Sequence, residues 1–97
     1  GEADACLLVG SEGVAQMSPR AVSHLRRIPT VALDHPTVAS SLAPTVRFTT
    51  AVYGIHLPGT VYRMDEVPIP LRPVLPTDYP SDADVLDGIR ARIAAGL

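Results

Sequence analysis

The sequence contains no lysine and no tryptophan, one cysteine, and no apolar run long enough to cross a bilayer. Each absence removes a class of function. All eight basic side chains are arginine, scattered along the chain and outnumbered by ten acids for a net charge of −2. Neither nucleic acid nor an anionic membrane surface therefore meets a basic footprint. Cys6 alone cannot close an internal disulfide or build a multi-cysteine metal or iron–sulfur site, and a lone thiol fits a reducing cytoplasm. A membrane span needs about 18 apolar residues, and the start, Gly1-Glu2-Ala3-Asp4, has neither the basic nor the apolar part of a secretion signal. With one phenylalanine and three tyrosines, the interior must be built from Val, Leu, Ile and Ala. The length suits one compact unit. Because few residues precede the first strand-like run and no methionine starts it, we expect a single α/β domain over residues 1–97, cut from a longer polypeptide.

What is present reads as alternating strands and helices. Ala5-Cys6-Leu7-Leu8-Val9 is a continuous apolar run closed by Gly10-Ser11, the pattern of a strand buried on both faces in a parallel sheet. Ser18-Pro19 supplies an N-cap and a first-turn proline for a helix that Pro29 ends near Arg27. Thr30-Val31-Ala32-Leu33-Asp34 is a second buried strand, ending in an acid. Thr37 to Leu42 fits a short helix, and Thr45 to Thr49 a third strand, where Arg47 among apolar neighbours marks an edge or a strand end. Thr60–Met64 and Val67–Leu71 flank Asp65-Glu66 as a hairpin with a two-residue turn. Pro68 and Pro70 fall two apart, so both missing N–H groups can face outward. Ser81-Asp82-Ala83-Asp84 is a capping box opening a final helix, whose Val85, Leu86, Ile89 and Ile93 form a stripe to lie on the sheet. The expected fold is α/β: a small Rossmann-like parallel sheet with flanking helices, then a β-hairpin or extended arm, then a helix.

Ligands of open parallel sheets bind at the carboxyl ends of the strands. Three places qualify. The Gly10-Ser11-Glu12-Gly13 loop either offers N–H groups to a phosphate or simply joins strand to helix; it has neither the GxGxxG pattern nor a P-loop lysine. Asp34 stands where nucleotide sites use an acid for ribose hydroxyls or a base edge, and equally where a turn before Thr37 needs a cap. His56 to Thr60, near Arg63 and Asp65, gathers polar groups around Gly59, or else Arg63 and Asp65 merely pin the hairpin as an ion pair. The histidines share no zinc spacing, no serine sits in a GxSxG turn, and Cys6 reads as a small buried hydrophobe. No self-sufficient catalytic site is visible.

The order Pro19-Arg20-Ala21-Val22, His24-Leu25, Ile28-Pro29 into a strand ending at Asp34, and above all Gly59-Thr60-Val61-Tyr62-Arg63-Met64-Asp65 with Val67-Pro68-Ile69, resembles the C-terminal part of the B subunit of formylmethanofuran dehydrogenase. The complete B subunit of that family is similar to molybdopterin oxidoreductases. The resemblance implies a part in interconverting formate or carbon dioxide with formyl-methanofuran, using molybdopterin guanine dinucleotide with tungsten or molybdenum held outside this chain. It implies Gly10, Ser11, Asp34, Thr37, Gly59 and Thr60 as the residues that would meet the cofactor. The sequence departs from the family pattern where Glu-Gly-Thr and Asp-Gly-Val are expected, with Pro58-Gly59-Thr60 and Asp65-Glu66-Val67. That departure suits the related formyltransferase/hydrolase complex of methylotrophic bacteria, whose B subunit resembles a scaffold and in which this chain would bind no cofactor. Partners would be the other subunits of a one-carbon complex, or a second copy of the excised domain. Two other readings stand beside these: a stand-alone nucleotide or phosphate-binding module, and a protein-association domain that pairs by strand addition.

Overall fold

A computed structural model describes residues 2–38 and 42–96. The chain divides into two compact units, residues 1–49 and 50–97. The first holds three parallel strands, β1 (Cys6–Val9), β2 (Thr30–Asp34) and β3 (Val46–Thr49), in the order β1-β2-β3. β2 is central, with Leu8 opposite Ala32 and Leu33 opposite Phe48. Its Ala32 and Leu33 are fully buried, and they form the core of this unit with Val14 and Leu42. A 3-10 helix, Ser11–Gln16, follows β1 directly, and α1 (Pro19–Leu25) follows that. The expected Ser18 cap is present, accepting from the Ala21 N–H at 3.2 Å.

β1 departs from the expected double burial. Leu7 and Val9 are 51% and 55% exposed, while Cys6 is partly covered. The reason is topological: β1 is an edge strand, and the Cys6 side of it shares a cavity with α1 residues Ala21, His24 and Leu25. An unbroken apolar run marks a strand with two covered faces only when neighbouring elements are supplied for both. β3 is an edge strand, as Arg47 indicated. Half of the short helix expected over Thr37–Leu42, residues 39–41, lies outside the described residues; Thr37 itself lies in a turn closed by Val38 N–H donating to the His35 carbonyl at 3.2 Å.

The second unit contains the hairpin β4 (Gly59–Tyr62) and β5 (Pro68–Leu71) and the helix α2 (Asp82–Ala94). The Ser81–Asp84 capping box is complete, with Ser81 Oγ accepting from Asp84 N–H at 3.0 Å and Asp84 Oδ2 accepting from Ser81 N–H at 3.1 Å. Burial along the apolar stripe decays from Val85, which is buried, to Ile93, which is 63% exposed.

The hairpin turn differs from the expected two-residue form. Arg63 N–H donates to the Val67 carbonyl and Glu66 N–H to the Arg63 carbonyl, both at 2.9 Å. Three residues, Met64 to Glu66, therefore form the loop, and Glu66 takes a left-handed backbone with φ 66°. This is the three-residue hairpin in which a turn is followed by one left-handed position, where glycine is favoured. A side chain there costs about 1–2 kcal/mol. Because glycine also frees the unfolded chain, replacing Glu66 by glycine should raise stability by a net of about 0.5–1 kcal/mol. Urea unfolding of the E66G variant checks this; an unchanged or lower midpoint would refute the assignment of strain.

Candidate functional site

The carboxyl end of the parallel sheet is organised by one buried carboxylate. Asp34 closes β2 with 2% of its surface exposed. Its Oδ1 accepts from the Ser11 N–H at 2.7 Å, and its Oδ2 accepts from the Ser11 hydroxyl at 2.8 Å and from Arg47 Nε at 3.1 Å. Arg47 also reaches back to the Leu42 carbonyl at 3.4 Å through Nη2. The groups converge because β1 and β3 flank β2 in register: Val9 pairs with Leu33, while Arg47 pairs with Ala32 two residues before Asp34. Gly10 makes the turn out of β1 with φ 81° while its N–H donates to the Leu33 carbonyl at 2.8 Å, so Ser11 enters the 3-10 helix directly over Asp34. A Cβ at Gly10 would meet Glu12 Oε2 at 3.1 Å, which puts the Glu12 carboxylate beside that turn.

The electrostatics follow from burial. A carboxylate removed from water is tolerable when charge-assisted hydrogen bonds replace its hydration. Arg47 keeps 40% of its side chain exposed, so the cation stays partly hydrated while the anion does not. At the opposite end of β2 the closure is neutral and reciprocal. Thr30 N–H donates to Thr45 Oγ1 at 3.0 Å, and Thr45 N–H to Thr30 Oγ1 at 3.2 Å.

Of the six residues singled out from sequence, Gly10, Ser11 and Asp34 come together on this rim. Thr37 lies just beyond it, with its N–H and hydroxyl 3.3 and 3.2 Å from His35 Nδ1. Gly59 and Thr60 belong to the second unit. Gly59 begins β4 beneath the Tyr53 ring, where a Cβ would lie 3.1 Å from Tyr53 Cδ1, and Thr60 is exposed opposite Pro70. The Arg63–Asp65 ion pair is formed at 2.8 Å, and Asp65 also accepts from Val67 N–H at 3.4 Å across the turn. Sequence reasoning missed Arg47 as the partner of Asp34. The signal was present in its alternation on β3, but only the strand register says which acid it reaches.

Among the described residues no three of His, Cys, Asp and Glu come together to hold a metal ion, and no helix is long and apolar enough to cross a membrane. His24 Nε2 lies 2.9 Å from the Ala3 carbonyl, and His56 Nδ1 accepts from Val52 N–H at 3.0 Å.

The fold and rim define a small α/β module built around a parallel three-stranded sheet, with a hairpin and helix following. No protein-family model matches the chain. It is similar to the B subunit of tungsten-containing formylmethanofuran dehydrogenase 2 of Methanococcus maripaludis, 36% identical over 88 residues, which are 89% of this chain and 20% of that protein. It is also 41% identical over 76 residues to the protein of that name from Methanocaldococcus jannaschii, covering 77% of this chain and 17% of that protein. The chain is thus similar over most of its length to part of the formylmethanofuran dehydrogenase B subunit, as the resemblance implied, and it spans about a fifth of the length of these curated relatives.

The clamp makes a ranked prediction. Removing the acceptor in D34A strands the buried Ser11 donors and should cost about 3 kcal/mol. R47M removes a partly hydrated cation and leaves the two Ser11 bonds, so its cost should be less than half as large. Chemical denaturation of both variants tests the order. Equal costs, or a neutral D34A, would show that the carboxylate does not organise the rim.

Proposed function

We propose that this chain is a structural module of a protein like the formylmethanofuran dehydrogenase B subunit, serving one-carbon metabolism between formate and formyl-methanofuran inside a multisubunit complex. We further propose that the rim at the carboxyl end of β1, β2 and β3 supports one end of a molybdopterin guanine dinucleotide. The observation that carries this reading is the engaged state of Asp34. Three donors of the protein already point at that carboxylate, so Asp34 and Ser11 act from beneath as positioning residues, while Gly10 and Thr37 are the groups nearest the cofactor.

The charge of the rim selects which part of such a ligand fits. The Ser11 N–H that would greet a phosphate is spent on Asp34, and the Glu12 carboxylate stands beside Gly10. The carboxylate beside Gly10 repels phosphate oxygens locally and accepts from hydroxyl and amino groups, while the partly exposed Arg47 guanidinium is already held by Asp34. The rim therefore suits the ribose hydroxyls and the N–H edge of guanine. The same fact weighs against a stand-alone phosphate-binding module. When bound, the cofactor supplies metal-centred redox chemistry; the residues of this chain bind and orient it, with the metal ligated elsewhere.

Thermal unfolding with added molybdopterin guanine dinucleotide tests the cofactor part. A ligand present at about 100 times its dissociation constant should stabilise by about 2.7 kcal/mol. Glu12 is exposed, so E12A should remove that shift and leave the ligand-free midpoint unchanged. No shift in the parent protein would overturn the cofactor assignment. The structural part is read separately. A tagged chain, expressed within its full-length polypeptide, should co-purify with the other subunits of the complex, and its absence from them would refute that role.

A further inference from the structure

The two edges of the hairpin are chemically unequal. The Arg63–Val67 hydrogen bond makes that pair a hydrogen-bonded one. Antiparallel pairs alternate, so Val61–Ile69 and Gly59–Leu71 also bond inward, while Thr60–Pro70 and Tyr62–Pro68 do not. The backbone groups of residues 60 and 62, and of 68 and 70, therefore point away from the hairpin. On β5 both of those residues are proline, so its outer edge has carbonyls and no donor. On β4 Thr60 and Tyr62 each keep an N–H and a C=O, and no other described residue hydrogen-bonds to them through its backbone. The hairpin has one closed edge and one open edge.

We infer that β4 pairs antiparallel with β4 of a second copy of this chain, across a two-fold axis at Val61. The inference stands on backbone register and does not depend on the cofactor reading. An open edge that centres on one residue is self-complementary: Thr60 of each copy lies opposite Tyr62 of the other, and the two pairs exchange four hydrogen bonds. Side chains agree with this alignment. Threonine faces tyrosine, a favourable cross-strand pair, and Arg63 faces Gly59 with no like charge opposed. Val61, 43% exposed in one copy, meets its symmetry mate beside Ile69, so the seam gains apolar cover. The prolines of β5 then lie at both outer edges of a four-stranded sheet, and assembly stops at the dimer.

Sedimentation of the 97-residue chain over a range of concentrations provides the test. A concentration-dependent monomer–dimer equilibrium is expected. Y62P removes an outward donor at a position that makes no bond within the hairpin, so it should yield a folded monomer. The double variant P68T/P70T restores the β5 edge and should form species larger than a dimer. As a measure that needs no destabilising change, V61C in a C6S background should oxidise to a covalent dimer, because unbonded antiparallel pairs bring Cα atoms to about 4.5 Å, while I69C in that background should not. A monomer at every concentration up to roughly 1 mM, corresponding to binding weaker than about 4 kcal/mol, would overturn the inference. So would equal cross-linking through V61C and I69C, or a chain that associates solely with a different protein.

Discussion

The buried carboxylate of Asp34 is the constraint on which the first unit depends. Its environment offers little aliphatic mass: among the described residues Val14, Ala32, Leu33 and Leu42 are the buried hydrophobics there, and two edge strands flank a single central one. Under those conditions hydrophobic burial does little to fix how the strand ends meet, since it is non-directional. Hydrogen bonds with one partner each do fix it. Asp34 ties the exit of β1 through Ser11 and the body of β3 through Arg47, and the Thr30–Thr45 exchange ties the opposite end of β2 to the start of β3. Rim geometry is thus a property of polar closure.

Local signals in the sequence predicted local structure well. Ser18-Pro19 capped a helix, Ser81 with Asp84 capped another, and two apolar runs and the alternating segment around Arg47 became strands. Each of those depends on neighbours within four residues. The exposed face of β1 was not legible, because Leu7 and Val9 look the same whether or not something covers them. The Asp34 clamp was half legible. An acid at a strand end is visible in the sequence, but its donors come from 23 and 13 residues away, and register decides them.

The hairpin carries a different lesson about the family pattern. Where glycine is expected after Asp65, this chain has Glu66 with φ 66°. A left-handed residue in a three-residue hairpin loop favours glycine on backbone grounds alone, whatever the hairpin contacts. The turn form itself survives the substitution, with Arg63 and Val67 still bonded and Asp65 still holding Arg63. The missing glycine is therefore a statement about turn strain, and it carries no information on whether a cofactor approaches.

The spacing of Pro68 and Pro70 follows from the same register. A strand inside a sheet uses the N–H of every residue, on alternate sides; an edge strand uses half of them. Prolines at two successive outward positions are compatible only with an edge, and they make that edge permanent because nothing can donate from it. Glu66, by contrast, sits where the two strands reverse, and its strain falls on the turn and not on the ladder. The arm combines a strained tip, a sealed outer edge and an apolar pair, Val61 and Ile69, on one face. An isolated two-stranded hairpin is marginal in water. Physical logic therefore places the stabilisation of this arm in whatever surface covers that face, and the proline pattern confines strand pairing to the side of β4.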